Sequence, residues 1–205
     1  MQHIAQTSAQ VLATLSSYLK VLSKRGRPLA LMNLAFFGSV LLTTVVCDLM
    51  LPRSLLDSLS PFAQVFLGNN ILATFLSIFL YNMLFSAFLV VTLPGFAFFP
   101  LSAGFLLYRA FTWGFLLHYQ PTWILVVSIP TLVLEGESYA LAAVAGTIVG
   151  ASWTRPKWAY KAESFKRAEA LKEAFRECLG LYFFVAILLL VAAVVETATL
   201  ALIAH

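Results

Sequence analysis

Residues 129–150, IPTLVLEGESYALAAVAGTIVG, decide how this chain is read. The stretch is apolar and long enough to cross a hydrocarbon core, which takes about 20 residues of helix. Yet Glu135 and Glu137 sit inside it, separated only by Gly136. An ionised side chain at bilayer depth costs roughly 2.5 kcal/mol or more on insertion scales, so such residues face protein or water and find partners. Two positions apart on a regular helix means about 200° of rotation, which would send the two carboxylates to opposite faces. Pro130 removes a hydrogen bond to the previous turn, and Gly136 lets the backbone unwind. The sequence therefore predicts a helix kinked or broken between Pro130 and Glu137, a geometry tolerated at membrane depth where it lines a cavity or is buried in protein.

The rest of the chain agrees with a membrane setting. Of 205 residues, 61% are hydrophobic and 11% charged, with a mean hydropathy of +0.90, whereas soluble domains carry about a quarter charged residues. The expected fold is an all-α membrane helix bundle with about five transmembrane helices, over residues 28–51, 68–93, 96–117, 123–150 and 178–204. Two amphipathic stretches accompany them, residues 1–27 and 152–177, with apolar side chains at helical spacing such as Leu12, Leu15 and Leu19, or Leu171, Phe175 and Leu179. The whole chain reads as one integral membrane domain: an N-terminal cytoplasmic helix (1–27), spans one to four (28–151), a basic amphipathic helix (152–177) and the last span (178–205).

Lysine and arginine set the expected orientation. Lys20, Lys24, Arg25 and Arg27 precede the first span, and Arg155, Lys157, Lys161, Lys166, Arg167, Lys172 and Arg176 lie between the last two. Five crossings put both groups on the cytoplasmic side of the plasma membrane and the C-terminus outside. The amphipathic stretches are then expected on an anionic inner leaflet, with lipid as a partner, the alternative being cytosolic extensions packed on the bundle. A net charge of +4 distributed this way argues against nucleic acid. The first lysine is Lys20, so no cleaved signal peptide is expected.

Ionisable residues occur away from the ends of three spans: Arg109, Glu135 with Glu137, and Glu196. From a rise of about 1.5 Å per residue, Arg109, Glu135 and Glu196 fall within roughly 6 Å of one level, in the outer half of the membrane. Arg109 is expected to pair with Glu135 or Glu196. That pairing has two readings: a buried ion pair that fixes helix register, or a polar path for an ion, proton or small substrate. Asn82 reads as an interhelical hydrogen bond, Asn70 as the opening of the second span, and His118 as a residue of the outer interfacial belt. Gly146 and Gly150 form GxxxG within a small-residue face and predict close packing, inside the bundle or between subunits. Cys47 and Cys178 have no metal-ligand spacing. HExxH, GxSxG and GxxxxGK[ST] are absent, so neither an enzyme nor a cofactor is expected.

The fourth span resembles the signature of the stage II sporulation protein M family. That signature runs approximately PHGxxELPA and then a small-residue stretch closing on GxxxG. Pro130 and Glu135 match at the same spacing, and Gly146 and Gly150 fall on the closing glycines. Thr131 and Leu132 replace the histidine and glycine, and Gly136-Glu137-Ser138 replaces Leu-Pro-Ala. The resemblance extends over about residues 66–152 and takes in the asparagine-led second span, NNILATFLSIFLYN. It implies a small multi-spanning membrane protein that organises a partner complex at the cell envelope; separately, the small-residue faces lead to the expectation of a homo-oligomer or a membrane-protein partner. The alternative from the polar residues is an oligomeric channel or transporter with a path past Arg109, Glu135, Glu137 and Glu196.

Overall fold

The computed structural model of the chain describes residues 2–51, 70–160 and 166–203, and every element among them is helical. In order these are α1 (Gln2–Lys24), α2 (Gly26–Met50), α3 (Ile71–Leu80), a π-helix (Tyr81–Thr92) that continues it, α4 (Leu93–Ala97), α5 (Pro100–Tyr119), α6 (Thr122–Thr154), α7 (Pro156–Tyr160) and α8 (Arg167–Ile203).

Among the described residues four helices are long and apolar enough to cross a membrane: Gly26–Met50, Ile71–Ala97, Trp123–Thr154 and Arg167–Leu202. This corrects the expectation of five. The odd one is α5. Its 20 residues give about 30 Å of helix, but Arg109, His118, Tyr108 and Tyr119 dilute its apolar content. It nevertheless runs along α2, in the same direction, toward the end that carries Asp48 and His118. The Thr44 hydroxyl donates to the Gly114 carbonyl at 3.1 Å, and one turn further Asp48 meets His118.

The centre of the bundle is the second half of α6. Tyr139, Ala140, Ala142, Ala143 and Ala145 have no exposed surface, as expected of a helix packed on every side. The π-helix, α4, α5 and α8 surround it. The first half is different: Trp123, Val126 and Ile129 are all more than half exposed.

The expected break in this helix is not there. α6 runs unbroken through Pro130 and Gly136. Pro130 is exposed and sits in the less buried half of the helix, where one lost hydrogen bond does not end a helix that packing holds further along. Gly136 has a steric task. A Cβ there would lie 2.7 Å from ring atoms of both Phe36 and Phe37 of α2, so the glycine lets two aromatic rings lie against the helix. The backbone irregularity is in the neighbour. Buried positions on α3 and its continuation are Thr74, Ile78, Asn82, Ser86, Ala87, Val91 and Thr92. Their spacing widens from four toward five residues, as the larger i→i+5 turn of a π-helix requires.

The GxxxG glycines pack within the bundle. A Cβ on Gly150 would stand 1.9 Å from the Gly95 carbonyl oxygen, and one on Gly146 would stand 2.6 Å from that of Thr92. Pro94-Gly95 thus serves as the surface onto which α6 closes. Of the two amphipathic stretches, the first packs on the bundle and the second is divided between elements. The Tyr18 ring of α1 packs 5.4 Å from Phe183 of α8, so α1 is held on the bundle. Residues 152–177 are not one helix: α6 ends at Thr154, α7 is separate, and Leu171, Phe175 and Leu179 belong to the same helix as the last span. Arg53, Asn69, Lys161, Ala162 and Phe165 lie outside the described residues.

Gly150→Leu should collide with backbone that cannot move aside, and overpacking of this kind costs about 1–3 kcal/mol or more. Thermal unfolding of the protein in detergent should show a clear loss of stability, while Gly104→Leu, which faces open space, should change little. Equal melting of the two variants would contradict the packing described.

Candidate functional site

A carboxylate and an amide meet inside the bundle. Glu135 on α6 is 2% exposed, and its Oε1 accepts a hydrogen bond from Asn82 Nδ2 at 2.6 Å. Asn82 opens the π-helix and is itself buried. One helical turn beyond Glu135, the Tyr139 hydroxyl lies 3.1 Å from Glu135 Oε2 and 2.9 Å from Asn82 Oδ1. It has one proton to donate, so it serves these two acceptors in alternation. Its oxygen in turn accepts from Arg109 Nη2 on α5 at 3.1 Å, and the guanidinium lies over the Tyr139 ring, 5.0 Å from its centre. Three structural elements are thereby joined at one phenol.

Arg109 accordingly does not pair directly with Glu135 or Glu196, as the sequence suggested. Its reach ends on Tyr139, whose ring fills the space between α5 and the carboxylate. The guanidinium Nε is buried with no hydrogen-bond partner. Glu196 of α8 is half-buried and near enough to Glu135 for the two charges to interact, without a hydrogen bond between them.

Glu137 faces elsewhere, as regular helical geometry requires. It accepts from Asn33 Nδ2 of α2 at 2.9 Å. Each glutamate of the pair is therefore held by an asparagine from a different helix. Asn70 caps α3, its Oδ1 accepting from the backbone N–H of Leu72 and Ala73. His118 is not an interfacial belt residue: it is 2% exposed, with Nδ1 2.7 Å from Asp48 Oδ1. Gly146 and Gly150 are packing positions remote from these hydrogen bonds.

Sequence reasoning did not single out Tyr139. Its position one turn from Glu135, on the same face, was the available signal. It also missed Glu177, which lies near the start of the final apolar run and is 2% exposed. Lys24 and Arg25, at the α1–α2 junction, both pair with Glu177; the Arg25 Nη2 contact is 2.7 Å. Arg25 Nη1 also donates to the Ala159 carbonyl at 3.2 Å. Tyr160 lies under both cations. Burial, and next the Glu177 carboxylate, raise the Tyr160 hydroxyl well above its ordinary range. This cluster ties α1, α2, α7 and α8 together at the end opposite Asp48 and His118.

Chemically, the Glu135 cluster is an internal hydrogen-bond network in which both carboxylate oxygens are engaged by the chain's own side chains. Among the described residues no three His, Cys, Asp or Glu side chains gather where they could hold a metal ion. Long apolar helices closed around a buried polar cluster define a helical membrane protein. The family is equally plain: the model for stage II sporulation protein M matches residues 30–199, and the chain belongs to that family. Neither the curated proteins nor the solved structures yield a match.

Tyr139→Phe should strip the hydroxyl from three buried partners and cost about 1–3 kcal/mol, the usual penalty for orphaned buried groups. Tyr108→Phe, at an exposed position, serves as the control in the same unfolding assay. Arg109→Glu should be worse, because it sets a second carboxylate against Glu135. Size-exclusion chromatography should show that variant aggregated or absent, and a monodisperse, normally stable Arg109→Glu protein would refute the arrangement.

Proposed function

We propose that this protein is a membrane scaffold or assembly factor of the cell envelope, working as a homo-oligomer or with another membrane protein. Family membership supports this reading. The observation that carries it is the closure of the polar core: both carboxylate oxygens of Glu135 are engaged by the chain's own Asn82 and Tyr139. A group that hands an ion or substrate onward needs open coordination, whereas a carboxylate engaged at both oxygens by other helical positions fixes those positions. Exposed apolar surface is ample for lateral partners, since Leu31, Leu34, Leu41 and Leu49 of α2 are each more than half exposed.

The proposed orientation follows the positive-inside rule. The end carrying Lys24, Arg25, Arg155 and Lys157 faces the cytoplasm, and the end carrying Asp48 and His118 faces outward across the plasma membrane.

Affinity-tagged full-length protein, extracted from its own membranes in mild detergent, should co-purify with a membrane partner or a second copy at fixed stoichiometry. The same protein in liposomes should pass protons and potassium no faster than empty vesicles. A purely monomeric preparation, together with a flux that disappears in Glu135→Gln, would overturn the scaffold reading in favour of transport.

A further inference from the structure

The basic end of the bundle carries an aromatic surface that the buried clusters do not use. Phe98, Trp153 and Trp158 are 54%, 44% and 59% exposed. They are brought together by three segments: the loop between α4 and α5, the end of α6, and α7. The arrangement is fixed from beneath. Trp153 Nε1 donates to the Phe96 carbonyl at 2.7 Å, the Phe99 and Trp158 rings lie 5.3 Å apart, and the Arg155 guanidinium lies 5.7 Å from the centre of the Phe99 ring. Arg155 and Lys157 are both exposed. Neither forms an ion pair with a described carboxylate, and so both remain available to an outside anion.

We infer that this surface holds the headgroups of anionic phospholipids, with the aromatic rings seated at headgroup level and Arg155 and Lys157 contacting phosphate. Tryptophan and phenylalanine at an interface bury their apolar bodies among acyl chains. A guanidinium stacked on a ring keeps its edge free to donate to phosphate. Charge selects the lipid. At the opposite end, exposed Trp123 has no lysine or arginine in its own segment between Gln120 and Pro130, so this tryptophan lacks the adjoining cations that Trp153 and Trp158 have. The selectivity is therefore predicted at one end only. This inference rests on the surface itself, and it stands or falls separately from the scaffold role.

The test uses tryptophan fluorescence of the full chain reconstituted in vesicles of phosphatidylcholine and phosphatidylglycerol, with one or the other lipid brominated as a contact quencher. The chain has four tryptophans, so W113F/W123F reports from Trp153 and Trp158, and W153F/W158F reports from the other end. Brominated phosphatidylglycerol should quench W113F/W123F with about fivefold preference over brominated phosphatidylcholine, on the scale of one basic residue at an anionic surface. The preference should fall with added salt and vanish when R155Q/K157Q is added. W153F/W158F should show none. Native mass spectrometry of the unaltered protein gives a second readout: more phosphatidylglycerol than phosphatidylcholine should stay bound, and R155Q/K157Q should remove the difference. Equal quenching by both lipids, or a preference that survives R155Q/K157Q, overturns the inference; the former would leave the surface to an acidic protein partner.

Discussion

A carboxylate enclosed in an apolar bundle must find donors inside the protein, and the interior around Glu135 is arranged to meet that requirement. At 2% exposure Glu135 is shut off from solvent, and an unpaired polar group in such a place is strongly destabilising. Asn82 and Tyr139 supply the donors from two different elements. Arg109 supplies a positive charge, but through the phenol, whose oxygen accepts from Nη2 while its proton serves the two acceptors. The π-helix fits this arrangement. Its wider turns keep Asn82, Ser86, Val91 and Thr92 on one buried side, facing the centre of α6, and the Ala87 carbonyl is within reach of the Tyr182 hydroxyl of α8 at 3.3 Å.

Close approach of helices does the remaining work. Small residues permit backbone contact where apolar transfer alone gives helices no reason to associate in lipid. Gly146 and Gly150 admit Thr92 and Gly95, Gly114 admits α2, and Gly136 admits Phe36 and Phe37. At the basic end, Glu177 draws Lys24 and Arg25 onto α7 and α8. The bundle is thus fixed by a polar junction in its interior, by glycine contacts along α6, and by an ion cluster at one end.

Much of this was legible in the sequence. Apolar content and basic flanks identify a helical membrane protein, and the spacing of Pro130, Glu135, Gly146 and Gly150 identifies the family. Helical periodicity places Glu135 and Glu137 on different faces. Three features were hidden for physical reasons. Tyr139 looks like an ordinary aromatic until its neighbours are known, so Arg109 was assigned to a carboxylate it does not touch. Pro130 and Gly136 are local signals of a broken helix, but packing overrides them, and Gly136 proves to be a matter of ring contact. The irregular backbone falls on residues 81–92, which contain neither proline nor glycine and so give no local warning. The count of five spans failed at α5 because its length suffices while Arg109 and His118, whose side chains contact Tyr139 and Asp48, reduce its apolarity.

The most direct test is a double-mutant cycle on Asn82→Ala and Arg109→Gln, read by reversible unfolding of the purified protein in detergent. These two side chains are both hydrogen-bonded to the Tyr139 hydroxyl, and both act on the Glu135 carboxylate beside it. If that hydroxyl is the junction of one cooperative network, the two losses should be non-additive by about 1 kcal/mol or more. Losses that simply add, within about 0.3 kcal/mol, would mean that the two residues stabilise the bundle independently and that the network is not its organising interaction.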